Sequence, residues 1–194
     1  MKKILSILSI VAAAVMVTVC VSCKKNEPSS SEDRIALAVA ALGTDGKELT
    51  DYLTKNGFKK VSEGAYKSTT EICSIKGYNS IYEVSFYSDY DSFSDAKEYF
   101  KSYHEKMISK ARDKYNSSCT NGYGTKTFSK PEEFIGFVNA LTEKDCTSPN
   151  SGCTEDAQNS KSKYEISNNF IKGKEVSEST NGYTVFFVVY GWNN

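Results

Sequence analysis

The hydrophobic pattern divides the chain into three parts. Residues 4–19 form an almost continuous apolar run after Lys2 and Lys3, and residues 26–33 form a polar stretch without a large hydrophobic side chain. Beyond this stretch, apolar residues recur at the spacing of helices and strands. The pattern therefore predicts an apolar N-terminal segment, a flexible tether and a single folded domain at 34–194.

Four segments of this domain have the apolar spacing of amphipathic helices. Asp45 and Glu48 have capping-box spacing at the start of the second, and Ser129 is the expected N-cap of the fourth. Gly57 predicts a left-handed cap after the second helix, with Phe58 packed back against it. The predicted helices cover residues 32–42, 46–56, about 93–115 and a segment after Ser129.

Alternating or continuous apolar runs predict six strands, at 59–67, 70–75, 81–87, 163–174, 175–178 and 183–192. In the third, Val84 and Phe86 alternate with Glu83 and Ser85, which is typical of an antiparallel strand with one wet face. The last is apolar on both faces, so we expect it to be an interior strand covered on both sides. The predicted fold class is α+β: a mostly antiparallel sheet packed with about three to four helices, with a degenerate α-β-β duplication as a further hypothesis.

The N-terminal apolar segment has the features of an export signal. It is basic at its start and shorter than the roughly 20 residues that span a membrane. It ends in Cys20-Val21-Ser22-Cys23, which resembles the lipobox of bacterial lipoproteins. The resemblance implies a signal peptide at 1–22 and a lipid on Cys23, the first residue of the mature protein. Cys20 is a second candidate, but Val19 before it is bulkier than Ser22.

In composition and architecture, the chain resembles small outer-membrane lipoproteins of Bacteroides-type bacteria whose functions are unknown. Lys24 follows the lipidated cysteine, where an Asp would resemble an inner-membrane retention signal, so the implied location is the outer membrane, on its periplasmic or cell-surface side. Acyl chains such as palmitate on Cys23 make attachment durable, because each buried methylene contributes about 0.8 kcal/mol. Residues 23–33 are then the lipidated cysteine and a flexible tether.

Charge argues against a nucleic-acid partner. Without residues 1–22, the chain has 22 basic and 24 acidic side chains, whereas nucleic-acid binders present a basic patch or stripe. The partners that we expect are the membrane, through the lipid anchor, and a protein or glycan ligand.

The four remaining cysteines indicate disulfides, because an even number in an exported chain is usually oxidised. Cys146 and Cys153 flank a short polar loop and are the favoured pair, which leaves Cys73 with Cys119. A zinc site is the alternative, but these four cysteines have no CxxC spacing and the chain has one histidine. We therefore expect no metal and no cofactor.

No motif identifies a catalytic site. His104 is the only histidine, and a nucleophilic pair with Cys73 or Cys119 is the catalytic alternative to a solvated surface histidine. Residues 122–127 lack the spacing of a phosphate loop and favour a hairpin. The acids at 89, 91 and 95 lack the further ligands of a calcium loop and favour helix capping.

Tyrosine is the remaining signal, with 13 residues in the chain. Those near turns or strand ends can grip a sugar, peptide or protein surface, although tyrosine also suits half-buried sheets. The candidates are Tyr66, Tyr78, Tyr87, Tyr90 and Tyr123. The sequence favours a non-catalytic binding protein whose ligand is an envelope partner, a host protein or a glycan. The alternative is an envelope hydrolase with an unidentified carboxylate site.

Overall fold

A computed structural model describes residues 33–77, 79–111 and 113–192. The predicted signal peptide, Cys23, most of the tether and Tyr78 lie outside these residues. The helices are α1 (Arg34–Ala41), α2 (Lys47–Lys55), α3 (Phe93–Lys110) and α4 (Pro131–Ala140), with a 3-10 helix at Glu143–Asp145. The strands are β1 (Lys59–Ser62), β2 (Ala65–Lys67), β3 (Glu71–Lys76), β4 (Glu83–Tyr90), β5 (Lys114–Asn121), β6 (Gly124–Phe128), β7 (Gly152–Asn159), β8 (Tyr164–Lys174) and β9 (Ser179–Gly191).

The nine strands form one sheet in the order β1-β2-β3-β4-β9-β8-β7-β5-β6, and every neighbouring pair is antiparallel. The predicted α+β class is therefore confirmed. The element order does not repeat a simple α-β-β unit, since a four-strand meander follows α2 whereas α4 separates β6 from β7. The long final strand β9 lies at the centre and joins the two halves of the sheet.

The helices pack on a single face of the sheet. Successive strand residues point to opposite faces, so only one side-chain set of each strand meets the helices. On β4 and β9 that set includes Val84, Phe86, Phe187 and Val189, which share one hydrophobic cluster with α1, α2 and the C-terminal half of α3. A second cluster joins α4 and the start of α3 to the β5, β7 and β8 side.

Two of the predicted element boundaries are wrong. Helix α3 ends at Lys110 rather than near 115, because Ala111 has extended backbone angles and the chain enters β5 three residues later. The segment 175–178, predicted as a strand, is the turn between β8 and β9. Strands β5 and β7 were not predicted. The helical spacing was extended into the start of β5, and the inward positions of β7 include the polar Glu155, which hides the alternation.

The covering of β9 also differs from the prediction. The strand is interior, between β4 and β8, but helices cover only one of its faces. On the opposite face Phe186 is half-buried and Tyr190 is 41% exposed. The consecutive apolar residues of β9 therefore alternate between a helix-covered face and a face without helices, on which Phe186 and Tyr190 are partly exposed.

Helix capping follows the residue types of the sequence at three ends and departs from the predictions at two others. Asp33 accepts hydrogen bonds from the first amides of α1, and Ser92 accepts one from the Asp95 amide in α3. The predicted capping box of α2 is wrong, because Gly46 is its N-cap. The N-cap of α4 is Lys130, not Ser129, with the proline at the first helical position. The C-terminal cap of α2 is confirmed by the positive φ of Gly57.

Candidate functional site

Within the described residues, one face of the sheet carries no helix, and side chains from neighbouring strands form rows across it. The flanking rows hold large side chains, with Tyr87 and Phe186 in one and Tyr190 in the other. The row between them holds Ser74, Ser85, Val188 and Ser167. The middle side chains are shorter than the flanking ones, and two of them, Ser85 and Val188, are 1% and 4% exposed. We call the band formed by these three rows the cross-strand groove.

The sheet geometry sets the size of the cross-strand groove. It crosses six strands from β3 to β5, which corresponds to roughly 24 Å at about 4.8 Å per strand. Its flanking rows are four residues apart along β9, which corresponds to roughly 14 Å between backbones. The groove is therefore long and narrow, a shape suited to one extended chain.

Aromatic rings line both sides of the groove. Tyr87 and Phe186 are cross-strand partners whose rings stack with centroids 4.8 Å apart and planes 20° from parallel. Both rings are half-buried, and burial raises the pKa of the Tyr87 hydroxyl, so it stays protonated and available as a donor. On the other side Tyr190 is 41% exposed. The groove thus offers ring faces together with hydroxyl groups.

Carboxylates flank Tyr190 on both neighbouring strands. Glu83 of β4 and Glu165 of β8 are its direct cross-strand partners. Glu83 forms an ion pair with Lys76 at 2.8 Å and accepts a hydrogen bond from the Ser85 hydroxyl at 3.3 Å. The row around Tyr190 therefore combines an exposed ring with charged hydrogen-bonding groups.

The β7 and β5 end of the groove contains a small depression of about 90 Å³. Burial raises the pKa of Asp156, and burial followed by the charge of Asp156 raises that of Glu165. The depression is much smaller than the roughly 300–1,000 Å³ of typical small-molecule pockets. Its lining residues are Lys114, Asn116, Asp156, Ala157, Gln158 and Glu165.

The β8–β9 turn is fastened beside the groove by Asp89. This carboxylate accepts hydrogen bonds from the amides of Val176 and Ser177, at 3.2 and 2.9 Å, and from the Thr184 hydroxyl at 2.9 Å. Lys67 donates to the Val176 carbonyl oxygen at 2.9 Å. The turn therefore lies against the row next to Tyr87.

A larger cleft of about 450 Å³ lies between α1 and α2. Its polar lining residues, including Asp45, Glu48 and Asp51, are exposed, and Lys47 pairs with Asp51 at 2.6 Å. No buried polar side chain is among its lining residues, so nothing in the cleft fixes the orientation of a ligand.

A buried polar row crosses the helix-covered face. Ser117, Glu155 and Asn168 are direct cross-strand neighbours on β5, β7 and β8. Glu155 bonds to His104 of α3 and accepts from the Tyr115 hydroxyl at 3.2 Å. One oxygen each of Ser117, Glu155 and Asn168 is buried without a hydrogen-bond partner. The row therefore pairs His104 with a carboxylate, not with Cys73 or Cys119 as the catalytic alternative required.

The structure disperses the tyrosines predicted to bind a ligand. Tyr66 and Tyr90 pack on the helix-covered face, and Tyr123 is 86% exposed at the β5–β6 turn. Of the four candidates that the structure describes, Tyr87 alone lies in the cross-strand groove. The sequence missed Phe186, Tyr190, Asp156 and Glu165 as groove residues; the alternation of β9 was the available signal for the first two, once one face is known to be helix-free.

The cysteines also depart from the predicted arrangement. All four are free and buried. Cys119 and Cys153 are cross-strand partners, and Cys146 belongs to the same hydrophobic cluster. Cys73 lies on β3, five strand spacings or roughly 24 Å from β5, so the predicted Cys73–Cys119 bridge does not fit this fold.

The other motifs have structural roles. Residues around Gly124 form the β5–β6 hairpin turn, and Asp91 pairs with Lys174. Among the described residues, no group of three or more Cys, His, Asp or Glu side chains is arranged to hold a metal ion. No helix in this part of the chain is long and apolar enough to cross a bilayer.

Comparison with known proteins gives no match to a family model, to a curated protein or to a solved structure.

Proposed function

We propose that this protein is a lipid-anchored extracytoplasmic lipoprotein that binds a glycan chain in the cross-strand groove without catalysis. The lipid is carried by Cys23, and residues 24–33 act as a tether between the outer membrane and the folded domain. The observation that carries the proposal is a row of short side chains on a helix-free sheet face, with Tyr87 and Phe186 on one side and Tyr190 between two carboxylates on the other.

The chemistry of the groove suits a neutral, hydroxyl-rich ligand. The rings of Tyr87, Phe186 and Tyr190 offer apolar faces, and rigid aromatic rings bind amphipathic ligands at a low entropic cost. The half-buried hydroxyls of Ser74 and Ser167 and the carboxylates beside Tyr190 are partners for sugar hydroxyls. A ligand with ring faces and hydroxyl edges matches both kinds of group.

Charge favours a glycan over a polyanion. Glu83, Glu165 and Asp156 all lie in the groove or at its end, and these carboxylates repel phosphate or sulfate chains. A protein partner usually needs a broad apolar core at the interface. The narrow groove with its polar floor provides less apolar surface than a protein partner requires.

A glycan array probed with the soluble chain beginning at Lys24 tests the proposal. We expect retention of a neutral oligosaccharide, and loss of at least about fivefold in affinity for Phe186→Ala and Tyr190→Ala, since an aromatic anchor contributes about 1 kcal/mol or more. Tyr123→Ala is the matched control, because Tyr123 is exposed at a turn outside the groove. Retention of no glycan, or equal losses in all three variants, contradicts the proposal.

Lipidation has its own test. In cells fed labelled palmitate, Cys23→Ser should abolish both the label and the membrane association, whereas Cys20→Ser should retain them. A Cys23→Ser chain that is still labelled contradicts the assignment and makes Cys20 the acceptor.

A hydrolase remains the second candidate because of one observation, the adjacent carboxylates Asp156 and Glu165 with raised pKa values. A raised pKa suits a general acid. Cleavage of the bound oligosaccharide that is lost in Asp156→Asn and Glu165→Gln would favour the hydrolase over the non-catalytic protein.

A further inference from the structure

We propose that Cys119, Cys146 and Cys153 form a three-thiol redox site, in which one disulfide joins two of the sulfurs and the third thiol is available for exchange. This site is separate from the cross-strand groove, because its side chains lie on the helix-covered face. It also replaces the pairing of four cysteines into two disulfides that the sequence suggests.

The fold brings these three residues together from distant parts of the chain. Cys119 on β5 is the direct cross-strand partner of Cys153 on β7. Cys146 directly follows the 3-10 helix and packs into the same hydrophobic cluster. The three side chains are 2%, 1% and 1% exposed for Cys119, Cys146 and Cys153, so each thiol has the other two within a shared, water-poor environment.

The three thiols differ in reactivity. A hydrogen bond from the Cys153 thiol lowers the pKa of Cys119, whereas the pKa of Cys153 is raised by the same interaction and by burial. Burial and then the charge of Cys119 raise the pKa of Cys146 to about 11. The thiolate is the nucleophile in disulfide exchange, so Cys119 is the expected attacking residue.

The oxidation is a pair of exchange steps with a small external disulfide. The Cys119 thiolate attacks one sulfur of the disulfide, which forms a mixed disulfide and releases one external thiolate. The Cys153 sulfur then attacks Cys119, which forms the Cys119–Cys153 bond and releases the second external thiolate. The two protons of the protein thiols pass to the released thiolates, so the protein loses two electrons and the external disulfide gains them.

The third thiol permits isomerisation without further oxidation. Attack of Cys146 on Cys119 or Cys153 moves the disulfide and frees one of the original partners, with no net change in oxidation state. A bond to Cys146 joins the segment after α4 to the sheet, whereas the Cys119–Cys153 bond leaves this segment without a crosslink. Cys73 is a spectator, because roughly 24 Å of sheet separates it from β5.

Disulfide mapping of the full-length chain carrying Cys20→Ser and Cys23→Ser, in detergent, tests this site. After exposure to oxidised glutathione and alkylation of the remaining thiols, mass spectrometry should find one disulfide per chain, mainly Cys119–Cys153, with Cys73 and Cys146 alkylated. Two disulfides per chain, a disulfide that contains Cys73, or no disulfide would overturn the proposal. This map needs no variant within the fold.

Variants identify the roles of the three sulfurs. Cys119→Ser should move the disulfide to Cys146–Cys153 and slow the first reaction by about tenfold, because the most acidic thiol is lost. Cys73→Ser is the matched control, since it also removes a buried thiol but should leave the pairing and the rate unchanged. Equal slowing in both variants contradicts the assigned nucleophile.

Discussion

His104 Nδ1 and a carboxyl oxygen of Glu155 share a hydrogen bond, and Glu155 is 0% exposed beneath α3. This pair lies between the two hydrophobic clusters, since the next row on one side contains Ala157 and Ile166 and the next row on the other contains Cys153 and Phe170. A polar row inside the core fixes the position of α3 over the sheet, because displacement of the helix would leave a buried carboxylate unpaired.

Removal of the histidine should destabilise the fold strongly. His104→Ala leaves Glu155 with only the Tyr115 hydroxyl as a hydrogen-bond partner, and an uncompensated buried charge costs about 3–5 kcal/mol. Urea unfolding measures this loss. Glu105→Ala, at an exposed site on the same helix, should change the free energy of unfolding by at most about 0.5 kcal/mol.

A double variant distinguishes the effect of the unpaired Glu155 carboxylate from the effect of lost packing. His104→Ala combined with Glu155→Leu removes the unpaired carboxylate, so it should recover part of the stability lost in His104→Ala. If the double variant loses more free energy of unfolding than the two single variants lose together, the pair is not coupled in this way.

The sequence predicted the helices and the antiparallel sheet well, because apolar spacing reports which residues face a core. It missed β7 and the groove, since both depend on partners far along the chain. Glu155 hides the alternation of β7, yet it is buried because His104 lies opposite. Likewise, Phe186 and Tyr190 flank a groove only because β4 and β8 place serines beside Val188. Register between distant strands cannot be read from one strand.

Arg34 should be a second site of strong destabilisation. It is 5% exposed at the first position of α1, donates from both terminal nitrogens to Glu71, and lies with its guanidinium carbon 5.3 Å from the Phe86 ring centroid. Arg34→Ala breaks a buried pair, so we expect a loss of about 3–5 kcal/mol in urea unfolding. Arg34→Lys should recover only part of it, because an ammonium cannot make the two parallel hydrogen bonds.

An exposed ion pair provides the comparison for Arg34. Lys47 and Asp51 are 75% and 67% exposed, so Lys47→Ala should lower stability far less than Arg34→Ala does. If Arg34→Ala costs no more than Lys47→Ala, the buried pair does not anchor α1 to the sheet.

The depression at the end of the groove predicts a pH dependence. Burial raises the pKa of Asp156 above its ordinary 3.8, so the folded chain binds this proton more tightly than the unfolded chain. The resulting stability is fully present below the ordinary pKa and is lost as the pH rises through the raised value. Asp156→Asn should therefore gain stability relative to the native chain between about pH 4 and neutral pH, in thermal unfolding followed across this range.

Asp113 is a control, because its contribution to stability should change with pH in the opposite direction to that of Asp156. It is fully exposed, and hydrogen bonds from Ser160 lower its pKa, so its contribution is present above its ordinary pKa and lost as the pH falls. Asp113→Asn should lose stability at neutral pH and not at acid pH. The same pH profile for Asp113→Asn and Asp156→Asn would contradict the assignment of the raised pKa to burial.

The position of the β8–β9 turn beside the groove should depend on Asp89 and not on Asp91. Its carboxylate accepts from the Val176 and Ser177 amides, and Asp89→Ala leaves both without this partner, so hydrogen exchange at these two amides should accelerate. Asp89→Asn should not restore protection at both, because an amide group has one acceptor oxygen where the carboxylate has two. Asp91→Ala, at a side chain 86% exposed, should leave both exchange rates unchanged. Unchanged exchange in Asp89→Ala would mean that contacts of the buried Val176 side chain, rather than the carboxylate, hold the turn beside the groove.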